Sequence, residues 1–229
     1  MPTTAANPTS HLALPWSRIK TVLLDMDGTL LDLNFDNVFF LETVPTTFAR
    51  QSGLSFDAAK DAVLNTYKKV AGTLAWYDLD HWSRELDIDI PLLKEEVAHL
   101  IQVHPHVLDF LRSLQKKRLP THLVTNAHSR SIDLKMARTP IGDYLNTITS
   151  SHDLGHAKEQ AGFWSALQEK IPFDPETTLL VDDSEPVLSA GRKYGIRYLR
   201  HIAAPSSQHP TNHSEDFISI TDFRDIMPD

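Results

Sequence analysis

Asp25 and Asp27 stand two positions apart, directly after the apolar run Thr21-Val22-Leu23-Leu24 and directly before Gly28-Thr29. A continuous run of this kind predicts a short strand buried on both faces, as in a parallel sheet. The carboxyl ends of such strands are where open α/β sheets bind ligands. Two carboxylates leaving one strand end together repel unless a cation or a shared proton relieves them. A hard cation such as Mg2+ suits oxygen ligands and keeps water and phosphate in its shell. Gly28 lets the chain turn away sharply and leaves both carboxylates accessible. A surface turn is the plain alternative, and this stretch alone does not decide. An EF-hand-type calcium loop is disfavoured, because the chain turns apolar at Leu30-Leu31 and the closing position falls on Asp36, not a glutamate.

Two later apolar runs also end in polar residues. Thr121-His122-Leu123-Val124-Thr125 runs into Asn126, and Thr177-Thr178-Leu179-Leu180-Val181 runs into Asp182-Asp183. In a parallel sheet these ends share one edge with Asp25 and Asp27. Lys158 lies between the last two, in a loop or at a helix start. Carboxylates for a metal, a hydroxyl and an amide for oxyanions, and a cation for charge together make an inventory for phosphoryl transfer. Each residue also has an ordinary explanation: a strand terminus for Asn126, a solvated lysine for Lys158, a helix cap among Asp182, Asp183 and Ser184.

The elements that must position these residues follow from periodicity. After the first strand the pattern is helical for about seventy residues. Asp36 or Asn37 is expected to cap a first helix, with Pro45 disturbing it. Ser55 or Asp57 caps a second helix through Tyr67, Asp80 to Leu86 forms a third, and Pro91 opens a fourth, Leu92 to Gln102. From His106 helices and strands alternate, which predicts parallel βαβ units. Those helices span Val107 to Leu114, Ser131 to Ala137, Gln160 to Lys170 and Glu185 to Tyr194; further strands span Thr147 to Ser150 and Arg197 to Arg200. Ala203 to Ser214 reads as a surface connection before a last short helix.

At 229 residues the chain can bury a sizeable core in one or two domains. It has no cysteine, which removes disulfides, thiolate metal sites and a cysteine nucleophile. The net charge of −8 argues against a nucleic-acid or anionic-membrane surface. It leaves an anionic small molecule open, because a local cation can reverse the field within one cleft. No apolar segment reaches the length needed to span a bilayer, and residues 1–10 lack the layout of a secretory signal. A cytoplasmic enzyme is the expectation, with residues 1–15 a flexible tail.

Asp25-Met26-Asp27-Gly28-Thr29, then Thr125-Asn126, then Lys158, then Val181-Asp182-Asp183-Ser184 resemble, in that order, the haloacid-dehalogenase superfamily of aspartate-nucleophile phosphatases. The resemblance implies an α/β, Rossmann-like three-layer parallel-sheet core over residues 1–34 and 104–229, with an α-helical cap inserted at 35–103. It also implies Asp25 as nucleophile and Asp27 as general acid and base. Thr125, Asn126 and Lys158 would hold the phosphoryl group. Asp25, the Asp27 backbone carbonyl, Asp183 and Asp182 would hold Mg2+, with Asp182 direct or through water. Asp27 separates this chain from dehalogenases, which lack the second aspartate, and from cation-pumping ATPases, which carry threonine there.

The cap would select the substrate, with Asp36, Asn37, Trp76, Tyr77 and His128 as candidates. The cap stretch Trp76-Tyr77-Asp78-Leu79-Asp80-His81-Trp82 is aromatic and acidic, suited to stacking a purine, although Trp76, Leu79 and Trp82 also follow helical spacing and are expected to pack inward. With the stretch from Asp25 to Asn37, Thr125-Asn126-Ala127-His128-Ser129, the stretch from Val181 to Leu188 and Gly195-Ile196-Arg197-Tyr198, these blocks are similar to the bacterial GMP/IMP 5′-nucleotidase branch. Glu159-Gln160 departs from the proline-containing segment of many relatives. The implied activity is Mg2+-dependent hydrolysis of a purine nucleoside 5′-monophosphate by a monomer or homodimer. Sugar-phosphate or phosphoglycolate-type phosphatase, phosphomutase and non-catalytic binding protein are the alternatives. The histidine pairs His104/His106 and His152/His156 are assigned no metal.

Overall fold

The computed structural model describes residues 12–228, so most of the expected tail lies outside the described residues. Six parallel strands form one sheet in the order β3-β2-β1-β4-β5-β6. They are β1 (Thr21–Leu24), β2 (Thr121–Thr125), β3 (Thr147–Ser150), β4 (Thr178–Asp182), β5 (Tyr198–Ile202) and β6 (Ser219–Ile220). β1 is central and fully buried, which explains its unbroken apolar run. Side chains alternate across it. Val22 and Leu24 join the layer that contains Phe110, Leu111 and Leu114, while Leu23 joins Phe163, Trp164 and Leu188 on the other face.

Residues 34–96, between β1 and β2, form helices and turns: α1 (Asn34–Val38), a π-helical stretch Phe39–Thr43, α2 (Val44–Ser52), α3 (Phe56–Lys68), α4 (Leu74–Tyr77), α5 (Leu79–Leu86) and α6 (Ile90–Glu96). They share a hydrophobic cluster of their own, including Phe39, Val63, Tyr67, Trp82 and Leu93. Ser55 caps α3 by accepting from the Ala58 amide. Trp82 and Leu79 are buried in the cluster, whereas Trp76 is only partly buried.

The rest of the chain supplies α7 (Val107–Lys116), α8 (Ser129–Arg138), α9 (Ser151–Leu154), α10 (Ala161–Lys170) and α11 (Glu185–Tyr194). α11 ends at Gly195 in the left-handed conformation, the usual glycine stop.

Several boundaries differ from the sequence expectations. Neither Asp36 nor Asn37 caps the first helix; it begins earlier, and Asp32 accepts from the Asn34 amide. Pro45 does not break the segment, because the wide π-helical turn before it absorbs the missing N–H and Pro45 sits in the first turn of α2. α6 stops at Glu96, not Gln102. The Gln102 carbonyl accepts from the Asp32 amide and Val103 bridges Leu31, so the chain segments leaving and re-entering the sheet region tie together there. β5 runs on to Ile202, and β6 adds a two-residue edge strand through Ile202↔Ile220.

Candidate active site

Register brings the polar strand ends together. Leu24 lies opposite Leu123 in β2 and Val181 in β4, so Asp25 emerges level with Asp182. The chain builds outward from β1 through β2 and β3 on one side, then through β4 to β6 on the other. The crevice at that reversal is the ligand site of open α/β sheets.

Lys158, buried in the loop before α10, reaches into this crevice. Its ammonium donates to Asp25 Oδ1 (2.5 Å), Asp182 Oδ2 (2.7 Å) and the Val124 carbonyl (3.3 Å). Its backbone is fixed too: the Lys158 amide donates to Asn126 Oδ1, and Trp164 Nε1 donates to the Lys158 carbonyl. The second oxygen of Asp182 accepts from the Ser184 amide, tying it to the start of α11. The Thr125 hydroxyl accepts from the Ala127 amide. Asn126 Nδ2 donates to Glu159, which also accepts from the Tyr77 hydroxyl at 2.8 Å.

Asp183 differs from Asp182 in having no ion pair to a lysine or arginine among the described residues. It presses against Gly28, whose φ is +81° and where an added Cβ would lie 2.5 Å from Asp183 Oδ2. Only glycine meets both demands. Carboxylate oxygens of Asp25, Asp182 and Asp183 lie within 4.8 Å of one another. Removal from water, more than any other cause, raises all three pKa values. Lys158 opposes this at Asp25 and Asp182, and the other two carboxylates add to it at Asp183. Asp25 is pushed up to about 6. Burial alone would discharge Lys158, but Asp182 and Asp25 hold it firmly protonated. One ammonium among three crowded carboxylates leaves an excess of negative charge, and an all-oxygen donor set fits a hard divalent cation.

Asp27 belongs to a second cluster. Lys135, on α8 and buried, donates to Asp27 Oδ1 (2.5 Å) and Asp36 Oδ2 (2.7 Å), while Lys94 from α6 donates to Asp36 Oδ1 (2.8 Å). Burial, partly offset by Lys135, pushes Asp27 up to about 6. Asp36 goes the other way: against burial, Lys135 and Lys94 hold it down at about 2.

A cavity of about 610 Å³ opens over both clusters. Asp25, Asp27, Lys158 and Asp183 line one end, and Phe40, Leu64, Tyr67 and Trp76 from the helical segment line the other. A mostly apolar cavity of this size with few convergent polar groups is the usual form of a small-molecule site. Asp36, Asn37, Tyr77 and His128 also line it, although Asp36 is already engaged by two lysines. His128 Nε2 stands 3.7 Å from Asp78 and 3.9 Å from Asp80, at the seam between the helical segment and the sheet.

Sequence reading missed Lys135, Lys94 and Glu159. No sequence signal pointed to Lys135: it lies four residues after Ser131 on α8 and shares its buried face, but that burial is set by the docked helical segment.

A parallel sheet with an aspartate pair at its central strand, a lysine on one member and an acidic pair at the next strand defines a phosphoryl-transfer class of α/β hydrolase. Residues 19–195 match the haloacid dehalogenase-like hydrolase family, and the chain belongs to that family of enzymes. It is 35% identical over 218 residues to a GMP/IMP nucleotidase, YrfG, of Escherichia coli, covering 95% of this chain and 98% of that protein. A pyrophosphatase, PpaX, of Oceanobacillus iheyensis is 26% identical, covering 91% and 95%. Among solved structures, a HAD phosphatase from Thermococcus onnurineus shares the fold with a TM-score of 0.73 at 23% identity, covering 88% of this chain and 93% of that one. No described helix is long and apolar enough to cross a membrane.

Proposed function

We propose that this enzyme is a Mg2+-dependent phosphatase of purine nucleoside 5′-monophosphates, GMP and IMP above all, working in the cytoplasm. One observation carries the reading: an Asp25 carboxylate held by Lys158 beside an Asp183 with no lysine or arginine partner among the described residues, under an aromatic-walled cavity large enough for a nucleotide. The near-full-length similarity to a GMP/IMP nucleotidase supports the choice of ester. Residues 35–103 would act as the cap that closes over the nucleoside.

In this reading an Asp25 oxygen attacks phosphorus, the phosphorus–oxygen ester bond breaks, and Asp27 delivers its proton to the departing alkoxide. In the second step water attacks the aspartyl-phosphate. Asp27 takes the water's proton, the bond from Asp25 to phosphorus breaks, and inorganic phosphate leaves. Its pKa, raised to about 6, suits a group that must both give and take a proton near neutrality. Lys158, Thr125 and Asn126 orient the phosphoryl oxygens. Asp25, Asp183, the Asp27 backbone carbonyl and Asp182 would hold Mg2+, with Asp183 direct because Asp182 is committed to Lys158 and Ser184. The metal supplies positive charge against the phosphoryl oxygens.

Phosphate release from a panel of nucleotides and sugar phosphates, with and without Mg2+, tests this reading. GMP and IMP should head the panel, and activity should vanish with chelator. Preference for sugar phosphates with GMP and IMP inert would sink the substrate assignment.

A further inference from the structure

Lys135 bridges the sheet and the helical segment in a way the two-step chemistry above does not require. Its side chain is 1% exposed, and each of two donors goes to a different part of the chain: Asp27 just beyond β1, and Asp36 in α1. Asp36 is in turn fixed by Lys94, whose ammonium lies 5.0–5.2 Å from the ring centres of Phe35, Phe39 and Phe40. The result is an alternating line, Asp27–Lys135–Asp36–Lys94, running from the reacting end of the cavity into the helical segment. Along it Asp27 is bound through Oδ1 only, and Oδ2 makes no hydrogen bond among the described residues. A lysine buried this deeply is retained only with its counter-charges in place. The seat of Lys135 therefore depends on α1 being docked.

We propose that Lys135 is the positioning residue of Asp27, clamping one carboxylate oxygen so that the other meets the leaving group, and that Asp36 holds Lys135 in that post when the helical segment is docked. The acid is then correctly oriented only in the closed enzyme. An open enzyme, with Asp36 withdrawn, leaves Lys135 free to turn and Asp27 free to rotate. The inference rests on the phosphatase reading and deepens it.

The test separates orientation of the acid from general damage by changing the leaving group. An alkyl ester such as GMP needs a proton delivered to its departing oxygen, whereas para-nitrophenyl phosphate releases a stable phenolate unaided. For K135M, kcat/KM, which reports steps up to departure of the leaving group, should fall about 100-fold with GMP and less than about 5-fold with para-nitrophenyl phosphate. D36N should show the same split at about 10-fold with GMP, and it decides the matter if K135M does not fold. Equal losses on both esters in a folded variant, or no loss on either, overturn the clamp. If wild-type enzyme spares GMP but cleaves other alkyl esters, the best of these takes its place, so the nucleotide assignment fails separately. Wild-type enzyme inert to every ester overturns the phosphatase reading and the clamp with it.

Discussion

Two buried lysines hold the aspartates that follow β1, Lys158 at Asp25 and Lys135 at Asp27, and their surroundings are built on opposite plans. Around Lys158 are three carboxylates, Asp25, Asp182 and Asp183, and Lys158 pairs with only the first two. Around Lys135 are two carboxylates, and a second lysine, Lys94, restores the balance. The first cluster carries more negative charge than its lysine neutralises: burial raises all three carboxyl pKa values, and neighbouring carboxylates add to that at Asp25 and Asp183. The second is self-compensating, and Asp36 within it stays ionised down to about pH 2. A cluster balanced within the chain fixes the orientation of its members. A cluster left incomplete is where an external cation and an external anion can enter.

The comparison breaks first at Asp25. D25A removes the nucleophile but leaves Lys158 paired with Asp182, so the protein should remain folded. Turnover of every phosphomonoester should drop by at least about 1000-fold. Residual turnover within about 10-fold of wild type, in a variant with unaltered circular dichroism, would rule out an aspartyl-phosphate route.

The two clusters should respond to charge removal with opposite sign. K94M leaves a buried Asp36 with one lysine instead of two and strips an ammonium from three aromatic rings, so urea unfolding should show a loss of about 3 kcal/mol. D183N removes one of three repelling carboxylates, so without divalent cation the variant should be more stable than wild type. The same change should raise the Mg2+ concentration for half-maximal activity by about 100-fold, since among the described residues Asp183 is the carboxylate of the three with no ion pair to a lysine. Destabilisation of metal-free D183N would show that the first cluster is already balanced.

Acidity sharpens the same contrast. Asp25 has a folded-state pKa of about 6 against an unfolded value of 3.8, so between these limits the folded state binds more protons than the unfolded. In metal-free protein this group therefore costs stability as pH rises from about 4 through 6. A cation competes with those protons, so the rise in Tm on adding Mg2+ should be small at about pH 4.5 and grow through about pH 6. Asp36 contributes in the reverse direction: its depressed pKa adds stability that is present above about pH 4 and disappears toward pH 2. A Mg2+-induced Tm shift independent of pH from about 4.5 to 7.5 would mean that protonation of Asp25 does not oppose the cation.

The contrast also explains what sequence reading reached. The first cluster was legible because its members stand at the ends of apolar strands, Leu24, Thr125 and Val181, where topology alone brings them together. Lys158 was legible only through its order among them. The second cluster was opaque. Lys135 and Asp27 are 108 residues apart, and Lys94 and Asp36 are 58 apart, with no strand end to announce either lysine. Surface exposure is the sound default for a lysine in an amphipathic helix, and only the docked helical segment overturns it. Asp36 was misread for the same reason: near a helix start an aspartate suggests a cap, yet here it lies inside the first turns and points to two cations. β6 was missed because two residues at a sheet edge carry no periodicity, and α6 was overextended because the chain leaves the α-helix at Val97 and tightens into a 3-10 turn, Ala98–Leu100, that keeps the apolar spacing.

The smallest effect is expected where the two parts of the molecule touch without sharing buried charge. The Tyr77 hydroxyl donates to Glu159 at 2.8 Å, and Glu159 in turn accepts from Asn126. This joins the aromatic wall of the cavity to the phosphate-binding end by one neutral donor on one carboxylate. Y77F deletes that donor and keeps the ring against the cavity. A hydrogen bond to a charged acceptor contributes about 1.5–3 kcal/mol, and Glu159, partly solvated, recovers much of that from water, leaving about 1 kcal/mol. Because the contact holds the helical segment closed and touches no reacting atom, the loss should fall on KM, raised about 5-fold, with kcat within about 2-fold. The Lys135 clamp, by contrast, acts through Asp27 and should lower kcat/KM according to the leaving group. If Y77F shows that same leaving-group dependence, the two bridges are one device and Glu159 transmits closure to the acid. If its effect is the same for every ester, the seam at Tyr77 only sets how long the substrate stays.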